Sequence, residues 1–141
     1  MIQRVRRASV SVDGEVVSAI GPGLLVLLGV SVDDREQDAD RLADKVRALR
    51  VFADADGRMN EPLGDREVLC VSQFTLYGDT RRGNRPSYVA AAPGKTAEPL
   101  YERFCDRLGA RRGVFGAHMR VELVNDGPVT LLLEAGGPAS P

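Results

Sequence analysis

The chain has 141 residues, of which 43% are apolar and 28% charged, the size and composition of one ordinary globular domain. Acidic residues outnumber basic ones by only 20 to 19, giving a pI near 5.9, so a nucleic-acid partner would have to be held by local patches. The longest apolar run, Leu24 to Val30, is far shorter than the roughly 20 residues of a membrane-spanning helix. We predict no membrane span and, from the absence of a signal peptide and the two distant cysteines, a cytoplasmic protein with free thiols.

The first predicted elements are a β-hairpin and a central strand. Apolar residues alternate through Val10–Val12, Asp13-Gly14 is typical of a tight turn, and a second strand follows from Val16 to Ile20. Gly21-Pro22-Gly23 ends the hairpin. The nearly continuous aliphatic run from Leu24 to Val32 then predicts a central strand covered on both faces.

A helix, a loop and another strand follow. From Asp34 to Arg50, apolar residues recur at helical spacing with acids at the N-terminal end, which predicts an amphipathic helix. Residues 51 to 67 are rich in glycine and proline, which indicates a short extended piece and a loop before a strand from Val68 to Phe74. Within the loop, Asp54-Ala55-Asp56-Gly57 favours a turn over a calcium loop, whose later acidic ligands are missing.

The second predicted helix has an apolar face running from Ala97 to Leu108. Pro99 is placed in its first turn, Gly109 provides its C-terminal stop, and Cys105 is predicted to lie in the core.

In the C-terminal part of the chain, the sequence predicts two strands and a tail. Met119 to Val124 alternates, Asn125-Asp126-Gly127-Pro128 marks a turn, and Val129 to Glu134 forms another strand. Residues 136–141 are expected to be a flexible tail after a single domain spanning residues 1–135. Strands outnumber helices without a steady β-α-β alternation, which predicts an α+β fold with largely antiparallel sheets.

Several kinds of site are excluded by the composition. A single histidine, His118, with Cys70 and Cys105 cannot form a zinc site of the usual kind, so we expect no metal. Phosphate-binding glycine loops and the Gly-x-Ser-x-Gly elbow are absent, and we expect no cofactor.

The segment Ser72 to Tyr77 lies where a predicted buried strand meets a polar loop. Ser72 and Thr75 can simply satisfy backbone groups while Phe74 fills the core. Alternatively, Thr75 directs its hydroxyl at a substrate while backbone N–H groups stabilise an oxyanion. No histidine or lysine lies nearby in sequence to activate Thr75 as a nucleophile.

Two arginine clusters and one turn also have alternative interpretations. Arg81, Arg82 and Arg85 lie in one loop, while Arg4, Arg6 and Arg7 lie near the N-terminus; they are either solvated charges or phosphate contacts. Gly127-Pro128 either belongs to an ordinary turn or forms a cis bond that fixes two carbonyls for recognition.

Taken together, these segments resemble the D-aminoacyl-tRNA deacylase family over residues 2 to 134. The resemblance rests on Gln3-Arg4-Val5, Gly23 to Val30, Ser72 to Tyr77, Arg85-Pro86-Ser87 and Asn125 to Thr130. It implies a layered, barrel-like core with two main helices. It further implies hydrolysis of the ester joining a D-amino acid, or mischarged glycine, to the 3′-terminal adenosine of tRNA, as chiral proofreading in translation. It also implies a homodimer with sites at the subunit interface.

The resemblance assigns candidate site residues. Ser72, Gln73, Phe74 and Thr75 would line the ester pocket, and Gly127 and Pro128, followed by Val129 and Thr130, would reach in from the partner subunit. The cis dipeptide carbonyls would meet the α-ammonium and sterically reject L side chains. Phe115 would lie near the terminal adenine. The candidate tRNA phosphate contacts are Arg81, Arg82, Arg85 and Arg7.

Two mechanisms remain open: Thr75 as nucleophile, or assistance by the terminal ribose 2′-OH with oxyanion stabilisation by backbone N–H groups. We favour the second, because a threonine without a nearby base is a poor nucleophile. The alternative functions are a catalytically silent protein that binds tRNA 3′ ends and a purely structural dimerisation domain.

Overall fold

The computed structural model describes residues 1–135, in which it places eight strands and two α-helices. The strands are β1 (Ile2–Val12), β2 (Glu15–Ile20), β3 (Gly23–Leu28), β4 (Phe52–Ala53), β5 (Met59–Glu61), β6 (Glu67–Ser72), β7 (Arg111–Arg112) and β8 (Arg120–Leu131). The helices are α1 (Glu36–Ala48) and α2 (Gly94–Leu108), and a short 3₁₀-helix spans Phe74–Tyr77. The predicted tail at residues 136–141 lies outside the described residues.

Strand β1 organises the main sheet. One of its edges pairs with β3 in its first half and with β2 in its second, while the other edge pairs with β8. All these pairings are antiparallel, whereas β6 is parallel to both β3 and β7. The Ser18 hydroxyl of β2 donates to the Arg112 carbonyl of β7 at 2.5 Å, which brings the two ends of the sheet together. The sheet is therefore nearly closed and barrel-like, and the predicted α+β class is confirmed.

The core has two parts, one on each face of the sheet. Side chains such as Val10 and Leu69, both 0% exposed, fill the barrel interior. On the outer face, Phe104 and Cys105 of α2 are also 0% exposed, so the predicted core position of Cys105 is confirmed. Successive residues of β3 and β6 point into the two parts alternately, which explains the continuous apolar runs Leu24–Leu28 and Val68–Val71.

Helices α1 and α2 pack side by side, with charged pairs along their exposed edge. The Arg103 guanidinium donates two hydrogen bonds to Asp40, at 2.8 and 2.9 Å, and Arg107 donates two of the same lengths to Asp44. These bonds lower the pKa of both aspartates. The pairs set the register of two helices whose apolar faces already cover the sheet.

Three predicted strand ends differ from the structure. Strand β3 ends at Leu28 instead of Val32, because Val30 and Val32 hydrogen-bond instead to the segment at residues 90–92. Strand β6 ends at Ser72 instead of Phe74, since Phe74 begins the 3₁₀-helix. Strand β8 ends at Leu131 instead of Glu134.

Two local predictions are wrong. Pro99 lies inside α2 and not in its first turn, because the helix already begins at Gly94, after Pro93. The Pro99 ring leaves the Lys95 carbonyl without its helical donor; both residues are exposed, so water can satisfy that carbonyl. The predicted turn at Asn125–Pro128 does not reverse the chain, which continues through it as the single strand β8.

Candidate functional site

A cavity of about 430 Å³ opens at the carboxyl end of β6. The start of α2 and the segment between β7 and β8 form its other walls. It brings together four of the predicted site residues: the consecutive Ser72, Gln73 and Phe74, and Phe115, which is far from them in sequence. Most of the remaining lining is apolar, which suits a ligand with a flat, weakly polar part.

The segment Ser72–Tyr77 forms one wall of this cavity as the chain leaves the sheet. The Gln73 N–H donates to the Leu28 carbonyl at 2.8 Å, which anchors the turn from β6 into the 3₁₀-helix. The Phe74 side chain is 56% exposed and lies edge-on to Tyr88, with ring centroids 5.1 Å apart. Phe74 therefore does not fill the core.

Thr75 lies beside the cavity and outside its lining. Its hydroxyl accepts a hydrogen bond from the Gln73 side-chain amide, and among the described residues no ionisable side chain is hydrogen-bonded to it. An amide cannot take up a proton at neutral pH, so this arrangement does not activate a threonine nucleophile.

His118 lines the same cavity, although sequence reasoning gave it no part in the site. It lies between β7 and β8, far along the chain from Ser72, and the fold brings the two together. The available sequence signal was its position three residues after Phe115 in the only histidine-containing segment.

The Gly127–Pro128 bond is cis, as the resemblance implies, and lies in a bulge of β8. Val5 pairs with Asn125 and Gln3 with Thr130, so four residues of β8 lie opposite Arg4 alone. Gly127 has a φ of +146°, a conformation that favours glycine. The bulge projects a short piece of backbone from an otherwise regular strand.

Two side chains that the sequence analysis did not assign to the site hold this bulge. The Asn125 side chain accepts a hydrogen bond from the Val129 N–H at 2.8 Å and donates to the Val129 carbonyl and the Thr130 hydroxyl, each at 3.1 Å. Arg4 donates to the Asp126 carbonyl at 2.8 Å and to the Val51 carbonyl at 2.7 Å. Arg4 therefore stabilises the bulge and is not free to contact a phosphate.

The bulge and the cavity are separate within one chain. None of the bulge residues 126–130 lines the cavity. In the sheet, β1 and β3 lie between β8 and β6. One copy of the chain therefore does not bring Gly127–Pro128 to Ser72–Phe74.

The arginine loop, residues 79–87, is closed by two hydrogen bonds between the backbones of Asp79 and Ser87, at 2.7 and 2.9 Å. Hydrogen bonds from the Arg81 guanidinium lower the pKa of Asp79 to about 2, so this pair stays ionised. Arg82 and Arg85 are exposed and form no ion pair with any described residue. Arg7 lies apart, on β1, and the structure does not bring it to this loop.

Residues 1–135 contain no group of three or more histidine, cysteine or acidic side chains placed to hold a metal ion. They also contain no helix with the length and hydropathy needed to cross a membrane.

Comparisons with known proteins agree on one family. The sequence model described as D-Tyr-tRNA(Tyr) deacylase matches residues 1–134. A D-aminoacyl-tRNA deacylase of Myxococcus xanthus is 53% identical over 148 aligned residues, covering 100% of this chain and 97% of that protein. A solved structure named c-Myc DNA Unwinding Element Binding Protein superposes with a TM-score of 0.90 at 42% identity, covering 96% of this chain and 97% of its own. A probable eukaryotic D-amino acid tRNA deacylase, 14% identical, has the same fold, with a TM-score of 0.77 and coverage of 90% and 93%.

Proposed function

The chain belongs to the D-Tyr-tRNA(Tyr) deacylase family and hydrolyses the ester of D-aminoacyl-tRNA, and we propose that its active site combines the cavity of one subunit with the bulge of another. The observation that carries this proposal is the separation of the cavity from Gly127–Pro128 within one chain. Proofreading of D-aminoacyl-tRNA accompanies protein synthesis, so we place the enzyme in the cytoplasm.

The cavity accepts the 3′ end of the tRNA. Its apolar walls and the Phe115 ring suit the terminal adenine, because a base can stack on an aromatic face. Ser72 and Gln73 supply the polar groups at the end where the ester lies. This orientation leaves the amino acid at the mouth of the cavity, where a second subunit can contact it.

The second subunit supplies the Gly127–Pro128 bulge. Two fixed carbonyls accept hydrogen bonds from the α-ammonium, and Val129 and Thr130 complete this wall. An L side chain would meet the backbone, whereas a D side chain points away from it. Glycine has no side chain to exclude, so this wall also admits glycyl-tRNA.

The outer edge of β8 is available for such an assembly. None of the described strands pairs with it, and Val124, Leu131 and Leu132 are exposed along this strand and just after it. A long unpaired strand edge with apolar side chains is a typical contact surface between copies of a chain. We therefore propose a homodimer.

Mixing two inactive variants tests the shared site. Ala117→Trp fills the cavity, and Asn125→Ala loosens the bulge, so each homodimer should be nearly inactive. After the two proteins exchange subunits, half of the dimers are mixed, and each mixed dimer has one intact site. We expect about a quarter of wild-type deacylation per subunit to return. No recovery, with mixed dimers verified by native mass spectrometry, would place both parts of the site in one chain.

The cleavage step relies on the substrate. The terminal ribose 2′-OH lies next to the ester carbonyl and assists hydrolysis, and backbone N–H groups of the Ser72–Tyr77 segment stabilise the oxyanion. The hydrogen bond that the Thr75 hydroxyl accepts from the uncharged Gln73 amide supports this route over a threonine nucleophile.

Thr75→Ala should therefore keep kcat within about tenfold of the wild-type value, because the hydroxyl only accepts a hydrogen bond from Gln73. Single-turnover hydrolysis of D-aminoacyl-tRNA measures this directly, with Thr75→Ser as the matched control. Complete loss of turnover in the alanine variant, with tRNA binding intact and the serine variant active, would identify Thr75 as the nucleophile.

The arginine loop contacts the tRNA backbone beyond the terminal nucleotide. Arg82 and Arg85 are exposed and form no ion pair within the described residues. They follow Tyr77, the end of the Ser72–Tyr77 segment, by five and eight residues. Arg81, held by Asp79, extends the same surface. Arg7 lies on another surface and would meet phosphates only on a different part of the tRNA.

A further inference from the structure

His118 is the only ionisable side chain among the described residues that line the cavity. The other polar side chains in this lining, Ser72 and Gln73, are uncharged, and the remainder are apolar residues or glycine. The imidazole is therefore the one ionisable group that the described lining offers to a ligand.

The segment that carries His118 is held in place by its backbone. The Ala117 N–H donates to the Val114 carbonyl at 3.1 Å, and the Val114 N–H donates to the Met119 sulfur at 3.4 Å. The His118 side chain itself is exposed at the cavity and makes no hydrogen bond to any described residue. It is therefore available to a ligand.

The charged groups of the neighbouring elements lie outside the lining. Lys95 follows Gly94 at the start of α2, and Arg120 and Glu122 lie on β8. The described part of β6 and the 3₁₀-helix adds no charged side chain beyond Glu67, at the far end of its strand. No carboxylate in the lining competes for the imidazole.

The end of an aminoacyl-tRNA offers this imidazole only one anionic group. The α-ammonium repels an imidazolium, and the ribose and adenine are neutral, whereas the phosphate that joins the terminal nucleotide to the chain attracts it. We propose that His118 binds this phosphate and so strengthens tRNA binding without taking part in ester cleavage. This inference rests on the proposed placement of the 3′ end in the cavity.

Deacylated tRNA is the probe for the binding step, because it keeps the phosphate but carries no ammonium and undergoes no chemistry. At fixed salt and pH, the Kd of His118→Gln should be about tenfold above that of wild type, since the substitution removes the imidazole contact to the phosphate. His118→Arg, which keeps donors for a phosphate, should bind at least as tightly as wild type.

Turnover separates this role from a catalytic one. The kcat of His118→Gln should stay within about twofold of wild type, since the proposed contact is to the phosphate and not to the reacting ester. A Kd of His118→Gln equal to that of wild type, or a kcat that falls with the glutamine substitution, would overturn the proposal. If subunit mixing restores activity but His118→Gln binds like wild type, the shared site stands and only the histidine contact fails. If mixing also fails, the placement of the substrate is wrong.

Discussion

Replacing Asn125 with alanine should lower kcat/KM for D-aminoacyl-tRNA about a hundredfold while the protein stays folded. The Asn125 side chain makes three hydrogen bonds, all to Val129 and Thr130, immediately after Gly127–Pro128. Without them, the bulge is fixed on one side only, by Arg4. A displacement of about 1 Å in a group that positions the substrate can cost about a hundredfold in rate.

The measurement compares D- and L-aminoacyl-tRNA with the same side chain. Wild type should hydrolyse only the D form, and Asn125→Ala should lose both rate and discrimination, because the same two carbonyls bind the ammonium and exclude the L side chain. Asp126→Ala is the matched control, since the Asp126 side chain makes no described hydrogen bond and only its carbonyl meets Arg4.

Stability should change much less than activity in this experiment. Losing these partly exposed hydrogen bonds costs about 1–2 kcal/mol, or roughly 5 °C in Tm. If Asn125→Ala lowers Tm in this way but hydrolyses D-aminoacyl-tRNA at the wild-type rate, the bulge takes no part in the site.

The sequence predicted correctly those parts of the fold that interactions between neighbouring residues determine. Asp13 and Gly14 adopt φ values of 51° and 83°, the conformation that the Asp-Gly pair favours, and the hairpin forms where it was predicted. The apolar run of β3 is buried on both faces because parallel pairing to β6 places it inside the sheet. The Asn125–Pro128 segment has the composition of a turn, but Arg4, 122 residues from Asp126, holds it as a bulge in a continuing strand.

The candidate site also contains residues that the sequence pointed to and residues that it did not. The resemblance pointed to Ser72–Phe74 and Phe115, which the fold brings to one cavity. It gave no structural role to Asn125, whose bonds to Val129 and Thr130 hold a bulge that depends on the pairing of β8 with β1, or to His118, which the fold brings to Ser72. Arg4 illustrates the same limit: its sequence neighbours suggested a basic patch, whereas its guanidinium is bonded to two backbone carbonyls.

The largest loss of stability is expected for Gly23→Ala. Gly23 is buried and pairs with Glu67 at the start of the parallel β3–β6 pair. A Cβ atom at this position would lie 1.8 Å from the Glu67 carbonyl oxygen, so one of two central strands has to move. We expect a loss of at least about 3 kcal/mol, seen as a fall of roughly 10 °C in Tm or as failure to fold.

Gly21→Ala provides the matched control, because Gly21 lies two residues before Gly23 and faces the same neighbour, Glu67. Its Cβ would meet a Glu67 carboxylate oxygen at 3.7 Å, an ordinary contact with the end of a flexible side chain. The control should stay within about 1 kcal/mol of wild type, since both variants remove the same glycine freedom from the unfolded chain. Equal Tm values for the two variants would contradict the β3–β6 register. A large difference would show that the close approach of these strands, and not the loss of a flexible residue, requires glycine at position 23.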